Sequence, residues 1–323
     1  MKKNTQQITE LLQQQFSNKL QTEVALKNLS TAHVGGMAKW FIKAKHVDEL
    51  SEIVKFCWVH EIPFFLLGSG SNVLFSDDGF LGLIIHNQAK KISIDQKYEN
   101  PTITAESGAN LGLVARKAGL AGLSGLEWAA TVPGTIGGAV YGNAGAHDGD
   151  ISTNLLLAEI LQQNHEKSLW KKEDFEYGYR SSSLKNKQKK GIILSATFEC
   201  TYDDPEKIKE RMNKFSEYRR KTQPPGASMG SMFKNPVGDY AGRLIEAAGL
   251  KGFAVGGVSV SEVHANFFVN TEQATANDFF ELISFVKKSV KEKFNVDLEL
   301  EVEMVGFNQI AINNITHSGK AAI

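Results

Sequence analysis

Several short stretches carry residue types that could do chemistry. ASMGSMFKNP (227–236) sets one hydroxyl, Ser231, in a Gly-Ser turn ahead of Lys234 and Asn235, interleaved with Met229, Met232 and Phe233. A solvated linker would not need those apolar residues, and a core strand would not hold Lys-Asn-Pro. The mixture predicts a chain crossing a pocket. YGYRSS (177–182) places Arg180 beside two tyrosines, and LELEVEM (298–304) puts Glu299, Glu301 and Glu303 opposite Leu298, Leu300 and Val302. SEVHANFFVN (261–270) carries His264 and Asn266 ahead of a strand. Taken singly, each also reads as ordinary structure: a surface arginine, a solvated acidic face, a helix-entry turn, a structural histidine.

The glycine tracts narrow the chemistry. GSGSN (68–72) lies between two strand-like runs. Its glycines let backbone N–H groups approach a phosphate; a plain turn fits it equally, because it is neither a G-x-G-x-x-G nor a P-loop. TVPGTIGGAVYGNAG (131–145) is denser in glycine, and its spacers Val132, Ile136 and Val140 require packing. Each packed glycine costs chain entropy, and the compensation is close backbone contact with a ligand or, alternatively, tight helix–strand packing. Two such loops point to a large ligand with a pyrophosphate. The sequence has no His-x-x-x-His pair.

Elements must position these groups. Residues 5–20 and 46–61 carry apolar residues at helical spacing, Pro63 ending the second. PFFLLG, VLF and LGLIIH then read as strands around GSGSN, an α/β or α+β unit. KISID, TITAES, LLLAEILQQ and GIILSATFECTY are further strands, NLGLVARKAGL a helix, and 204–221 a helix with acids first and bases last. A third block contains a helix at 239–249, strands around 254–269 and a helix opening at Thr275, with Asp278 at capping-box distance. Residues 298–306 alternate as a strand. This predicts an α+β chain divided into 1–87, 88–218 and 219–307, followed by an irregular, loosely held tail at 308–323.

The 323 residues carry 36 basic and 36 acidic side chains, net charge zero, which gives no whole-molecule case for nucleic acid or membrane surfaces. No run reaches the roughly 18 apolar residues of a membrane span, and no apolar stretch follows the two N-terminal lysines. The expectation is a cytoplasmic protein with two buried, unpaired thiols, Cys57 and Cys200, and no metal site.

Together HVGG (33–36), FLLGSGSNVLFSDDGF, GLEWAATVPGTIGGAVYGNAGAHDGDI, FEYGYRSSSLK, RRKTQPPGASMGSMFKNP, AGRLIEAAGLKG, VSEVHANFFVN and LELEVEMVGF span about residues 28–307 in one order. In this the chain resembles the UDP-N-acetylenolpyruvoylglucosamine reductases, in the shorter class without the extra tyrosine loop. The resemblance implies two FAD-binding subdomains of the vanillyl-alcohol-oxidase type and a C-terminal α/β substrate domain. It implies hydride transfer from NADPH through FAD to UDP-N-acetylglucosamine-enolpyruvate, giving UDP-N-acetylmuramate for peptidoglycan. By the family pattern Ser231 is the general acid, and Arg180 and Glu301 stabilise the enolate. Gly68, Ser69, Gly70, Ser71 and Asn72, with Thr131, Val132, Pro133, Gly134, Gly137, Gly138 and Asn143, are expected at FAD. The loops would act there through backbone N–H groups. Tyr179, Lys221, Lys234, Asn235 and His264 are expected at the nucleotide-sugar substrate, with Arg219 and Arg220 facing the UDP part. The expected state is a monomer without nucleic-acid or membrane partners. Thr131 stands where the family usually has glycine, and Val263 where lysine is common. Two readings compete: an O₂-using alcohol or sugar oxidase of the same fold, and a nucleotide-sugar-binding paralogue without turnover.

Overall fold

The computed structural model describes residues 3–97, 99–271 and 273–308. The expected irregular tail lies almost wholly outside them. The chain forms two compact units. Of the described residues, the first comprises 3–20, 41–69 and 83–219; the second comprises 21–40, 70–82 and those from Arg220 onward. The first unit ends at Arg219. Segments 21–40 and 70–82, expected in an N-terminal domain, instead pack with the C-terminal part.

The first unit is built on a five-stranded antiparallel sheet. From one edge to the other its strands are Lys167–Lys171, Leu155–Gln162, Gly191–Glu199, Thr102–Glu106 and Ile92–Asp95. β-Branched residues face their neighbours across it, Thr104 and Thr197 sharing a hydroxyl hydrogen bond of 2.9 Å. The helix Leu111–Leu120 starts at Asn110, whose side chain accepts from the Leu113 N–H, and buries Leu111, Val114, Ala115 and Ala118 in the core. Phe64–Leu67 runs parallel to the chain from Leu83 to His86 and is half-buried except for the buried Leu67, which places GSGSN at the end of a strand.

The glycine tract is the main departure from expectation. It is not a plain loop: a 3-10 turn, Glu127–Thr131, leads into a helix, Ile136–Gly142. Thr135 caps this helix, its hydroxyl accepting from Gly138, and Asn143 ends it in the left-handed region (φ 46°).

In the second unit the Ala276–Phe294 helix has the expected capping box of Thr275 and Asp278. Its first N–H groups, on Ala276 and Asn277, also donate to the Asp77 carboxylate at 2.9 Å. Phe279, Leu282, Ile283, Val286 and Val290 from this helix meet Met229, Met232, Phe233 and Phe268 in the core. The expected strand at 298–306 is regular only over Glu303–Val305, parallel to Val73–Phe75. Residues 298–302 are irregular and tied down by other means.

Candidate active site

Ser231 and Glu301 come together in the second unit. Their segments run antiparallel: the Lys234 N–H donates to the Glu299 carbonyl (2.8 Å), the Glu301 N–H to the Met232 carbonyl (2.9 Å), and Phe233 faces Leu300 in an isolated bridge. Met229, Met232 and Phe233 are buried, so the apolar residues of ASMGSMFKNP anchor the chain. Gly230 turns through positive φ (77°), and Ser231 is left half-exposed. Among the described residues nothing hydrogen-bonds its hydroxyl.

Asn266, not expected as a site residue, holds this segment. Its Oδ1 accepts from the Phe233 N–H (2.9 Å), its Nδ2 donates to the Phe233 carbonyl (2.8 Å), and its own carbonyl accepts from Met232 (2.8 Å). It is 2% exposed, so these bonds have no competition from water. The signal in the sequence was an amide flanked by apolar residues just before a strand.

The expected substrate contacts are partly engaged already. The Lys234 ammonium pairs with Glu299, and the Asn235 side-chain carbonyl accepts from Ala241 at the start of the Ala241–Ala247 helix. His264 Nδ1 accepts from the Asn266 N–H (3.2 Å), and its ring packs edge-on against Phe267. Burial pulls the His264 imidazole below its ordinary value, so it is neutral at pH 7. Lys221 is exposed and Tyr179 is 54% exposed.

Arg180 belongs to the first unit. Its Nη2 donates to the Gly145 carbonyl (2.7 Å), and its guanidinium lies 5.4 Å from the Tyr179 ring centre. Its backbone is left-handed (φ 53°), a conformation a long side chain keeps only when its surroundings impose it. Here the glycine tract imposes it. Tyr177 donates to the Val140 carbonyl (2.9 Å), Ser182 to the Tyr141 carbonyl (2.6 Å), and Asn143 Nδ2 to the Gly178 carbonyl (3.1 Å). Asn143 is 4% exposed; it also donates to Asp150 and accepts from the Ser152 N–H, so its amide aligns loops. Burial pushes the Tyr177 hydroxyl up, which keeps it a donor.

The expected FAD-binding residues sort into two kinds. The Gly137 N–H is committed to the Ser107 carbonyl and the Val132 N–H to the Ala129 carbonyl, so neither is free for a phosphate. A Cβ on Gly137 would sit 3.0 Å from Ser107, on Gly68 2.5 Å from the Thr135 hydroxyl, and on Gly70 1.9 Å from the Leu29 carbonyl. Those glycines serve internal packing. Gly138 and Gly142 differ. One turn apart on the helix, they share a face. A Cβ on Gly138 would meet only Thr135 Oγ1, at 3.6 Å, and one on Gly142 nothing within 4 Å. The tract therefore has one bare face. At the start of the tract, Thr131 Oγ1 is buried with no hydrogen-bond partner, as is Trp128 Nε1 just before it; they are the only such side-chain atoms among the described residues. Buried polar atoms are nearly always paired, so an orphaned hydroxyl in the glycine tract fits a bound polar group. The residues present thus fit FAD. Arg219, expected toward UDP, donates instead to the Thr131 carbonyl (2.6 Å). Among the described residues there is no cluster able to hold a metal. Cys57 and Cys200 are buried free thiols, pushed up by burial to about 12 and about 11.

A family model described as UDP-N-acetylenolpyruvoylglucosamine reductase, C-terminal domain, matches residues 221–305, and one described as FAD binding domain matches residues 38–164. The chain is similar to the UDP-N-acetylenolpyruvoylglucosamine reductase of Anoxybacillus flavithermus, 42% identical over 86% of this chain and 91% of that one. Its counterpart from Caldicellulosiruptor saccharolyticus is 44% identical over 87% and 90%. The crystal structure of the Thermus caldophilus reductase superposes with a TM-score of 0.75 at 34% identity, covering 88% of this chain and 99% of that one. The bare glycine face within the FAD-binding match, and the Ser231–Glu301 pairing within the C-terminal match, thus sit in a chain that belongs to the UDP-N-acetylenolpyruvoylglucosamine reductase family.

Proposed function

We propose that this chain reduces UDP-N-acetylglucosamine-enolpyruvate to UDP-N-acetylmuramate, with NADPH as reductant and FAD as cofactor, in peptidoglycan precursor synthesis. The observation that carries the residue roles is the antiparallel pairing that brings Ser231, with an uncommitted hydroxyl, beside the Glu301 segment. FAD supplies the means of relaying hydride from NADPH to the enolpyruvyl methylene carbon. Hydride addition there leaves a negative charge on the neighbouring carbon, delocalised into the carboxylate. Ser231 Oγ gives its proton to that carbon. Its turn sets where the side chain leaves the backbone, and positioned proton transfer contributes about 10²–10⁴-fold.

Arg180 is a stabiliser of the developing charge, as a guanidinium held rigid by the glycine tract. Glu301 is the second stabiliser, acting as a hydrogen-bond donor. Gly138, Gly142 and Thr131 line the flavin nucleotide, with Ser69, Ser71 and the Gly134 turn. Tyr179 and Lys221 reach the nucleotide-sugar, and Lys234, Asn235 and His264 order the polypeptide around it. The reading places the enzyme in the cytoplasm as a monomer.

The test is Ser231→Ala, followed in two anaerobic half-reactions. The variant is expected to bleach with NADPH at the normal rate. Recovery of the oxidised band by the enolpyruvyl substrate should slow by about 10²–10⁴-fold. Equal loss in both halves would remove Ser231 as the acid.

A further inference from the structure

Asn72 closes the GSGSN turn, and its side chain is committed to a main-chain carbonyl. Its Nδ2 donates to the main-chain carbonyl of Glu301 at 3.1 Å. Its own carbonyl accepts from the Glu303 N–H, also at 3.1 Å, and parallel pairing starts at the next residue, with Val73 opposite Glu303. Glu301 lies just outside that regular strand, where the ladder provides no donor for its carbonyl. The Asn72 amide is that donor. On the other side the Glu301 N–H is held by the Met232 carbonyl, one residue from Ser231. Both polar main-chain groups of Glu301 are therefore fixed, one by the Ser231 segment and one by Asn72.

We propose that Asn72 is a positioning residue for the reduction of the enolpyruvyl substrate, acting through Glu301 and not on FAD. The proposal rests on the reading of Glu301 as a stabiliser of the developing charge. Small misplacements of a catalytic group are costly, about 10²-fold for roughly 1 Å. Asn72 thus ties the end of the GSGSN turn to the main chain of the residue used in the second half-reaction.

The experiment compares Asn72→Ala, Asn72→Asp, Glu301→Ala and the double variant Asn72→Ala/Glu301→Ala, each purified with FAD. Three quantities are read: flavin content with its visible spectrum, the rate of bleaching by NADPH, and the single-turnover rate of reoxidation by UDP-N-acetylglucosamine-enolpyruvate. Asn72→Asp keeps the size of the side chain but puts an oxygen where the donor was, so it carries the test should Asn72→Ala fail to fold. The expected result is normal flavin content, bleaching within about 2-fold of wild type and reoxidation slowed by about 10- to 100-fold. Asn72→Ala should then add nothing in the Glu301→Ala background. Loss of flavin or slow bleaching with normal reoxidation would overturn the proposal by making Asn72 a cofactor contact. Additive losses in the double variant would overturn this proposal alone. Normal reoxidation in Glu301→Ala would overturn the Glu301 reading, and this proposal with it.

Discussion

At the scale of residues, sites are built as much by amides as by charged groups. Asn266 grips both main-chain groups of Phe233, Asn143 holds Gly178, and Asn72 holds Glu301. Each uses the two-sided hydrogen-bonding capacity of a carboxamide, which no other short side chain matches. Asn266→Ala strips two partners from a buried peptide group, and each unpaired group costs about 1–3 kcal/mol. We expect a loss on the order of 3 kcal/mol in denaturant unfolding, together with slower flavin reoxidation, since Ser231 is two residues from the grip. A normal reoxidation rate in the folded variant would show that Asn266 serves stability alone. The motif residues Ser231, Arg180 and Glu301 could be singled out from sequence because they sit in specific runs. The clamping role of the amides could not, although Asn72 and Asn143 stand among the residues expected at FAD. An asparagine's importance depends on which carbonyl lies opposite, and chain folding decides that over separations such as the 229 residues between Asn72 and Glu301.

At the scale of elements, helices were the most legible. The Val47–Val59, Leu111–Leu120, Pro205–Thr222 and Ala276–Phe294 helices follow from periodicity and caps. The glycine tract has the composition of a loop because glycine disfavours helices, but packing around Ile136 and Val140 and the Thr135 cap override propensity. The 298–302 segment alternates like a strand without being one, because neighbouring segments satisfy it through Met232 and Asn72. The Pro205–Thr222 helix is docked by charge: Arg211 bonds Glu127 (2.7 Å) and Asp203 (2.6 Å), and Glu127 accepts from Ser124 and the Gly125 N–H. Burial pushes the Glu127 carboxyl up, but Arg211 and these donors more than offset it, leaving it below the ordinary glutamate range. A depressed folded value means the stabilisation is present above the unfolded value of about 4.3 and is lost as pH falls through the folded one. Glu127→Gln should therefore lower stability near neutral pH by about 1.5–3 kcal/mol. It should also flatten the acid limb of stability against pH below about 4.5. A variant parallel to wild type throughout that limb would refute the assignment.

At the scale of the whole molecule, the sequence pattern placed the family motifs in the right order, but not the way the chain divides. A reader of contiguous segments cannot see that residues 21–40 and 70–82 pack with the C-terminal part. These pieces carry HVGG and the end of GSGSN, so the motif expected to hold FAD is covalently continuous with the segment that clamps Glu301. No helix among the described residues is long and apolar enough to cross a membrane. The central claim is a flavin that accepts hydride from NADPH and releases it to an enolpyruvyl nucleotide-sugar. Its most direct test is an anaerobic visible spectrum of the purified protein, first with NADPH and then with UDP-N-acetylglucosamine-enolpyruvate. The account predicts an oxidised-flavin band that bleaches with NADPH and returns when the enolpyruvyl compound is added. A band that bleaches and stays bleached, or no band after incubation with FAD, would contradict it.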